Sequence, residues 1–228
     1  MGIKGNVQEV LEKIEKSASK TGRSGRDVQL VAVSKTVPAA RVEEAIEAGL
    51  HTFGENRVQE WKEKSELLPG NIAWHIIGRL QKNKVKYIIG KIELLHSLCT
   101  LEVAQEIERL SQKKGVRTNC LVQVNIGREE SKSGVQEEEL LPFLEQLQVL
   151  PHLQIQGLMA IAPIAENPEE VRRYFARMRE LFEKMPTGEN MERKFLSMGM
   201  SGDYQVAIEE GANMVRVGSR IFGARDYQ

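Results

Sequence analysis

The stretch LVAVSKTVPAARVEEAIEAG (residues 30–49) joins an apolar strand to an amphipathic helix, and this combination decides the fold. Residues 30–33 carry no charge, as expected of a parallel strand that helices cover. The run ends near Lys35, Pro38 separates it from the helix, and Gly49 stands where a left-handed residue can close that helix. The stretch predicts one strand–helix unit with an ammonium group at the carboxyl end of its strand.

Seven more strand-like runs follow, and helical patterns separate them. They are HTFGE (51–55), IAWHIIG (72–78), IELLHSL (92–98), NCLVQVNI (119–126), LQIQGLMAI (153–161), KFLSMG (194–199) and MVRVG (214–218). Eight strands alternating with helices over about 200 residues predict one α/β domain, residues 1–228, folded as a single (β/α)8 TIM barrel. An extra N-terminal helix is predicted by apolar residues at helical spacing: Val7, Val10, Leu11 and Ile14. An open doubly wound sheet is the alternative, although no GxGxxG follows the first strand.

The composition excludes several classes of protein. Lys and Arg number 32 and Asp and Glu number 32, so the net charge is zero and a nucleic-acid-binding protein is not expected. No apolar run approaches the roughly 20 residues that cross a bilayer, and the N-terminal stretch lacks the apolar core of a signal peptide. Cys99 and Cys120 lack metal-ligand spacing and are interpreted as free thiols. These features predict a cytoplasmic protein.

Lys35 is the first candidate for chemistry. Active sites of TIM barrels lie at the carboxyl ends of the strands, and Lys35 follows strand one. Burial would lower the pKa of its ammonium group, and a neutral lysine amine forms a Schiff base with an aldehyde or ketone. The alternative is an exposed turn, in which the ammonium group is solvated.

The stretch SMGMSGDYQVAIEEGANMVRVGSRIFG (197–223) has two features that suit a phosphate group. Ser201-Gly202-Asp203 and Gly218-Ser219 each precede a predicted helix, where free backbone N–H groups and the helix dipole favour an anion. Loops after strands seven and eight often bind phosphate in this fold. Arg216 shares a strand face with Gly218 and is predicted to point into the barrel beside these two loops. Alternatively, the glycines only cap helices and Arg216 pairs with a glutamate.

Further polar residues lie within or directly after strands two, three and five. Asn56 ends strand two within reach of a ligand near Lys35, while His75 in strand three suits either a core histidine or a catalytic one. The basic run at residues 79–86 is typical of a solvated face, with attraction of anionic ligands as the alternative. The polar stretch GREESKSGVQ (127–136) predicts the longest βα loop.

Together these segments resemble the YggS/PROSC family of pyridoxal 5′-phosphate (PLP) homeostasis proteins over nearly the whole chain. The run WHIIGRLQKNK (74–84) is the most specific part, although Ile76 stands where that family often has Phe or Met. The other matching segments are VAVSKT (31–36), FGENRVQE (53–60), SKSG (131–134), LMAI (158–161) and SMGMSGD…VRVGSRIFG (197–223). The resemblance implies the barrel fold of the N-terminal domain of bacterial alanine racemase.

The resemblance also implies a role for each candidate residue. Lys35 matches the lysine that holds PLP as a Schiff base, and Arg216 matches the arginine that faces the pyridine nitrogen. Asn56 matches an asparagine near the cofactor. The phosphate is implied to lie against three residues: Ser201, Gly218 and Ser219.

The implied function is reversible PLP binding in intracellular PLP homeostasis, by buffering or by delivery to apo PLP-dependent enzymes, with effects on vitamin B6 and on amino-acid and keto-acid balance. Robust catalysis is not expected, because an arginine at the ring nitrogen weakens PLP as an electron sink. A racemase-like PLP enzyme and a cofactor-free Lys35 aldolase are the alternatives. Racemisation needs a second proton-transfer group, for which Tyr204 is the nearest candidate. Because little chain follows Gly218, no added domain is expected, and a monomer is predicted.

Overall fold

Eight parallel strands close into a barrel in the computed structural model, which describes residues 2–223. The strands are β1 (Gln29–Val33), β2 (Thr52–Glu55), β3 (Ala73–Ile76), β4 (Leu94–Leu98), β5 (Thr118–Val124), β6 (Leu153–Ala160), β7 (Met191–Ser197) and β8 (Met214–Val217). They pair in chain order, and β8 returns to β1 with Gln29 opposite Met214 and Ala32 opposite Val217. The predicted TIM barrel is confirmed, and the open sheet is excluded.

Helices cover the outside of the barrel. The α-helices are α1 (Ile3–Ser19), α2 (Ala39–Glu47), α3 (Val58–Leu67), α4 (Val85–Ile88), α5 (Leu101–Lys114), α6 (Leu140–Leu147), α7 (Arg172–Lys184), α8 (Tyr204–Glu209) and α9 (Ser219–Phe222). Short 3-10 turns occupy Gly25–Asp27, Lys82–Lys84, Glu137–Glu139 and Pro168–Val171. None of the helices between residues 2 and 223 is long and apolar enough to span a membrane.

The N-terminal helix is present as predicted, outside the strand–helix repeat. α1 packs against α2, α8 and α9, and buries Val7, Val10 and Ile14. The Asn6 side chain donates a hydrogen bond to the Ile221 carbonyl oxygen at 2.9 Å and so ties α1 to the last helix. The fourth residue predicted on the buried stripe, Leu11, lies at its edge and is 44% exposed.

The inward faces of the strands divide the barrel interior into an apolar and a polar layer. The apolar layer consists of Val31, Leu94, Leu121, Met159 and Met214. Side chains two residues further along a strand return to the same face. Polar residues therefore stand above this layer, nearer the carboxyl ends of the strands: His96 follows Leu94, Gln123 follows Leu121 and Arg216 follows Met214.

Two boundaries differ from the sequence prediction. β7 begins at Met191, three residues before the predicted start, because pairing of Met191 with Ile155 extends the strand through a polar segment that carries no apolar pattern. Asn167 caps its helix as expected, accepting from the Glu169 N–H at 3.0 Å, but the first turn is a 3-10 turn and α7 begins only at Arg172.

Candidate functional site

One cavity at the carboxyl ends of the strands collects every residue predicted to bind the cofactor. Its volume is about 480 Å³, within the range of small-molecule sites. The predicted residues on its wall are Lys35, Asn56, Ser201, Arg216, Gly218 and Ser219. The closed barrel therefore brings together residues that are distant in sequence.

Lys35 lies on the wall of this cavity, just beyond the end of β1. Ser34 before it is fully buried, Lys35 is half-buried and Thr36 is exposed, so the chain leaves the barrel at this point. Thr36 has a φ of 63°, in the left-handed region that β-branched residues rarely adopt. Lys35 therefore borders the cavity and is not the fully solvated turn residue of the alternative interpretation.

The loops after β7 and β8 meet at the cavity. The Ser201 hydroxyl accepts a hydrogen bond from the Gly218 backbone N–H at 3.1 Å. A Cβ atom at Gly218 would lie 3.0 Å from the Val33 carbonyl oxygen, so the close approach of β1 favours glycine there. α9 begins at Ser219, where the first backbone N–H groups have no acceptor within the helix. These loops can therefore donate hydrogen bonds to an anion.

The segment around Ser201 differs from the prediction that it opens a helix. α8 begins at Tyr204, because the preceding residues form a turn. In that turn the Met200 N–H donates to Asp203 Oδ1 at 2.6 Å, and the Asp203 N–H donates to the Met200 carbonyl oxygen at 3.1 Å. Ser201 and Gly202 present a loop to the cavity, not the first turn of a helix.

Arg216 points into the barrel, and its hydrogen-bond partners are neutral. Its guanidinium group donates to Ser197 Oγ at 2.6 Å and to the Ala160 carbonyl oxygen at 2.9 Å. Burial lowers the pKa of Arg216 to about 10, and the nearby Asp203 carboxylate opposes that shift. The group therefore remains charged at neutral pH, and the alternative of a glutamate partner is excluded within residues 2–223.

A chain of hydrogen bonds continues from Arg216 through the barrel interior. His96 Nδ1 lies 3.1 Å from Ser197 Oγ, and His96 Nε2 lies 2.9 Å from His75 Nδ1. Because Arg216 can only donate, the Ser197 hydroxyl accepts from it. The Ser197 hydroxyl therefore links the buried guanidinium group to both histidines.

Both histidines of this hydrogen-bond chain, His75 and His96, are neutral. Burial is the main cause that lowers their pKa values, to about 3 for His75 and well below the ordinary value for His96. The positive charge of Arg216 adds to the effect at His96. His75 Nε2 is buried and has no hydrogen-bond partner in the described part of the chain. Of its two sequence interpretations, His75 therefore fits the core histidine.

A second cavity, of about 650 Å³, adjoins the first and shares Asn56 and Arg79 with it. Its wall carries four cations and one carboxylate: Arg57, Arg79, Lys82, Lys84 and Glu102. Lys86, the last cation of the basic run, lies instead over the Tyr87 ring, 5.1 Å from its centroid. Most of the basic run therefore borders a concave surface at the mouth of the barrel.

The tyrosine predicted nearest to the site lies elsewhere. Tyr204 is buried beneath α1 and lines a separate small cavity with Asn6 and Glu9. No tyrosine among residues 2–223 lines the 480 Å³ cavity. The structure therefore does not place Tyr204 where it could exchange a proton with a ligand beside Lys35.

Sequence reasoning missed several residues that shape the cavity. The Gln123 side chain lines it and donates to the Ser133 carbonyl oxygen at 2.8 Å, which ties the loop after β5 to its strand. Lys132 in that loop was not missed, since the sequence suggested either a second amine for PLP or a solvated loop lysine; it lines the cavity and pairs with Glu129 at 2.8 Å. The two-residue period of β5 could have identified Gln123, since it shares the inward face with Leu121.

Comparisons with known proteins agree with the barrel fold. The family model described as alanine racemase, N-terminal domain, matches residues 6–226. A pyridoxal phosphate homeostasis protein of Aquifex aeolicus is 45% identical over 222 residues, which cover 97% of each chain. The PLP-bound structure of PipY from Synechococcus elongatus is 36% identical with a TM-score of 0.78, covering 92% of this chain and all of PipY (100%). Alanine racemase of Corynebacterium glutamicum shares the fold at 19% identity and a TM-score of 0.72, over 98% of this chain and 61% of that enzyme.

The match extends over nearly all of the chain in both the family model and the relatives. It confirms the family resemblance drawn from the sequence motifs. The chain belongs to the alanine racemase N-terminal domain family, in the group of the pyridoxal phosphate homeostasis proteins.

Proposed function

We propose that this chain binds PLP through a Schiff base with Lys35 and serves in intracellular PLP homeostasis, as a buffer or as a donor of the cofactor. The observation that carries the proposal is the meeting of a lysine, a phosphate-suited loop pair and a buried arginine on the wall of one cavity. The names of its relatives and the PLP-bound state of PipY agree with it. In this proposal residues 1–228 act as one PLP-binding barrel domain.

The chemistry of the cavity fits PLP. The loops that carry Ser201, Gly218 and Ser219 offer a hydroxyl group and backbone donors to the phosphate. The Arg216 guanidinium lines the same cavity and is assigned to the pyridine nitrogen, and Asn56 is assigned to a polar contact near Lys35. When bound, PLP supplies an aldehyde and an electron-withdrawing ring.

Weak catalysis follows from the charge of Arg216. A carboxylate at the pyridine nitrogen would keep that nitrogen protonated, whereas arginine donates to it and leaves it unprotonated, so the ring withdraws fewer electrons. Racemisation also needs proton-transfer groups on two faces of a substrate carbon, and no described tyrosine lines the cavity. The proposed role is therefore binding without robust activity, acting on vitamin B6 and on amino-acid and keto-acid balance through the supply of PLP.

Delivery requires a site that a recipient can reach. Lys35 is half-buried and Arg79, on the wall of the same cavity, is exposed. We assign apo PLP-dependent enzymes as the recipients and expect a cytoplasmic monomer. Transfer of PLP to an apo-enzyme should be faster than spontaneous release from the chain; transfer no faster than release would leave buffering as the role.

The test is a spectral titration with PLP, followed by borohydride reduction and peptide mapping. The native chain should gain the visible absorption band of a Schiff base and carry the reduced adduct on the peptide of Lys35. Lys35→Ala should lose both, whereas Lys132→Ala, a change on the same cavity wall, should keep both. A native chain that leaves the Lys35 peptide unlabelled would overturn the proposal.

The two alternative functions make different predictions. A racemase exchanges the α-proton of an amino acid in deuterated water faster than free PLP does. A cofactor-free aldolase does not need the phosphate loops, so Ser201→Ala and Ser219→Ala would leave its reaction with a carbonyl substrate unchanged. In the proposed function both substitutions weaken PLP binding, and amino-acid exchange stays at the rate of free PLP.

A further inference from the structure

The residues on either side of Lys35 are held by an ion-pair network from the neighbouring strand and helix. The Lys64 ammonium group on α3 donates to the Ser34 carbonyl oxygen at 2.6 Å. It also donates to Glu55 Oε1 at 2.7 Å and to Glu60 Oε1 at 2.9 Å. All three ammonium protons are therefore used.

Both carboxylates of the network also bind the chain that carries Lys35. The Ser34 hydroxyl donates to Glu55 Oε1 at 2.6 Å, and the Thr36 backbone N–H donates to Glu60 Oε1. Thus the residue before Lys35 and the residue after it are both held from β2 and α3.

We infer that Lys64, Glu55 and Glu60 are positioning residues that direct the Lys35 side chain toward the cavity. The inference rests on the proposed function, in which Lys35 is the attachment point of PLP. It deepens that function by naming the groups that make this lysine available.

The backbone conformation of Thr36 is the first argument. A φ of 63° is unfavourable for a β-branched residue and persists only where surrounding contacts enforce it. The Glu60 carboxylate supplies such a contact by accepting from the Thr36 N–H. Without it the turn can relax to an ordinary conformation, which rotates the backbone on one side of Lys35 and moves the amine away from the cavity.

The burial of the network is the second argument. The Lys64 side chain is 8% exposed and the Glu55 side chain is fully buried. Buried ion pairs stabilise a fold weakly compared with apolar residues of similar volume, because both charges lose their hydration. Glu55 Oε2 has no partner within the described residues, and burial raises the pKa of Glu55. The network is poorly explained by stability alone, whereas its contacts to Ser34 and Thr36 explain its place.

The test separates covalent attachment from recognition of the phosphate and ring. Pyridoxine 5′-phosphate has an alcohol in place of the aldehyde, so it probes the cavity without a Schiff base. Borohydride labelling of the Lys35 peptide at a fixed PLP concentration probes the position of the amine. The variants are Lys64→Met and Glu60→Ala; Lys62→Met is the matched control, because Lys62 is on the same helix and its pair with Glu66 is exposed.

Lys64→Met and Glu60→Ala should each reduce labelling of Lys35 at least tenfold, while binding of pyridoxine 5′-phosphate changes less than threefold. Glu60→Gln keeps an oxygen acceptor for the Thr36 N–H and should recover at least half of the labelling. Lys62→Met should match the native chain. Because glycine adopts positive φ readily, Thr36→Gly should raise the labelling of Glu60→Ala.

Native labelling in Glu60→Ala would overturn the inference and leave the proposed function intact. Glu60 is partly exposed, so this variant keeps the test valid even if Lys64→Met does not fold. A native chain that is itself unlabelled at Lys35 would instead overturn the proposed function, so the two failures are distinguishable.

Discussion

Two buried cations, Lys64 beside the end of β1 and Arg216 on the cavity wall, have opposite kinds of hydrogen-bond partners. Lys64, below the β1 end, contacts two carboxylates, Glu55 and Glu60. Arg216, on β8, contacts the neutral hydroxyl of Ser197 and a backbone carbonyl oxygen. The first arrangement neutralises the charge, whereas the second leaves it in place.

This difference separates a cation whose donors are all used within the protein from one that still has donors facing the cavity. The Lys64 contacts use every ammonium proton, so nothing on that group is left for a ligand. The Arg216 contacts to Ser197 and Ala160 use two of the five guanidinium N–H groups, and the side chain borders the cavity. A cation that must face a ligand is thus better held by dipoles than by carboxylates.

The largest expected effect is the loss of stability on breaking the carboxylate-bound cation. Lys64→Met leaves Glu55 buried without its cationic partner, and removing one member of a buried ion pair costs about 3–5 kcal/mol. Lys62→Met breaks an exposed pair of the same helix and should change the free energy of unfolding by less than about 1 kcal/mol. Urea denaturation at neutral pH measures both values. Equal losses in the free energy of unfolding for the two variants would show that the buried ion pairs of Lys64 contribute no more to stability than the exposed pair of Lys62.

The second effect is a dependence of stability on pH, which arises from the buried histidines that are linked to Arg216. The pKa of His75 is about 3 in the folded chain and about 6.5 when unfolded, so between these values the unfolded state binds more protons. Stability is therefore fully present above pH 6.5 and decreases as the pH falls. From pH 7 to 5 the loss is about 2 kcal/mol for His75, and His96 shifts in the same direction.

Urea denaturation at several pH values checks this dependence. His75→Leu should remove its share of the loss, because leucine binds no proton in either state. His51→Gln, a change at an exposed histidine, should keep the native profile. If the His75→Leu profile is parallel to that of the native chain from pH 7 to 5, burial does not lower the pKa of His75 in the folded chain.

Removal of Arg216 should cost less stability than removal of Lys64. Arg216→Met leaves the Ala160 carbonyl oxygen and one acceptor site of Ser197 without a donor, but no carboxylate loses a hydrogen-bonded cation, since Asp203 is only a nearby charge. The expected loss in the free energy of unfolding is about 1–3 kcal/mol, the scale of an unsatisfied neutral group. A loss as large as that of Lys64→Met would contradict the view that the two cations differ in role.

The sequence predicted the barrel and the cavity wall because both follow from local patterns. Apolar runs between helical stretches identified all eight strands, and the carboxyl ends of parallel strands in a closed barrel meet at one place. Lys35, Asn56 and Arg216 were predicted from their positions at strand ends or on inward faces, and the cavity contains them all.

The residues that surround the two cations could not be predicted in the same way. Glu60 and Lys64 follow ordinary helical spacing on α3, and an ion pair four residues apart usually lies on a solvated face. Only packing of α3 against the β1 end brings Lys64 within 2.6 Å of the Ser34 carbonyl oxygen. The pairing of His75 with His96 likewise depends on the register of β3 and β4, which no single-chain pattern specifies.

The smallest expected effect concerns the strained backbone at Thr36, directly after Lys35. A left-handed conformation costs a non-glycine residue about 1–2 kcal/mol, and glycine loses about 0.5–1 kcal/mol more backbone entropy on folding. Thr36→Gly should therefore raise the free energy of unfolding by about 0.5 kcal/mol, which is measurable by urea denaturation. Arg128→Gly makes the same backbone change, at a φ of 53°, in the exposed loop after β5, and it should give a similar gain without altering borohydride labelling of Lys35. If Thr36→Gly destabilises the chain by more than about 1 kcal/mol, Thr36 is not strained, and the contact from Glu60 holds no unfavourable conformation in place.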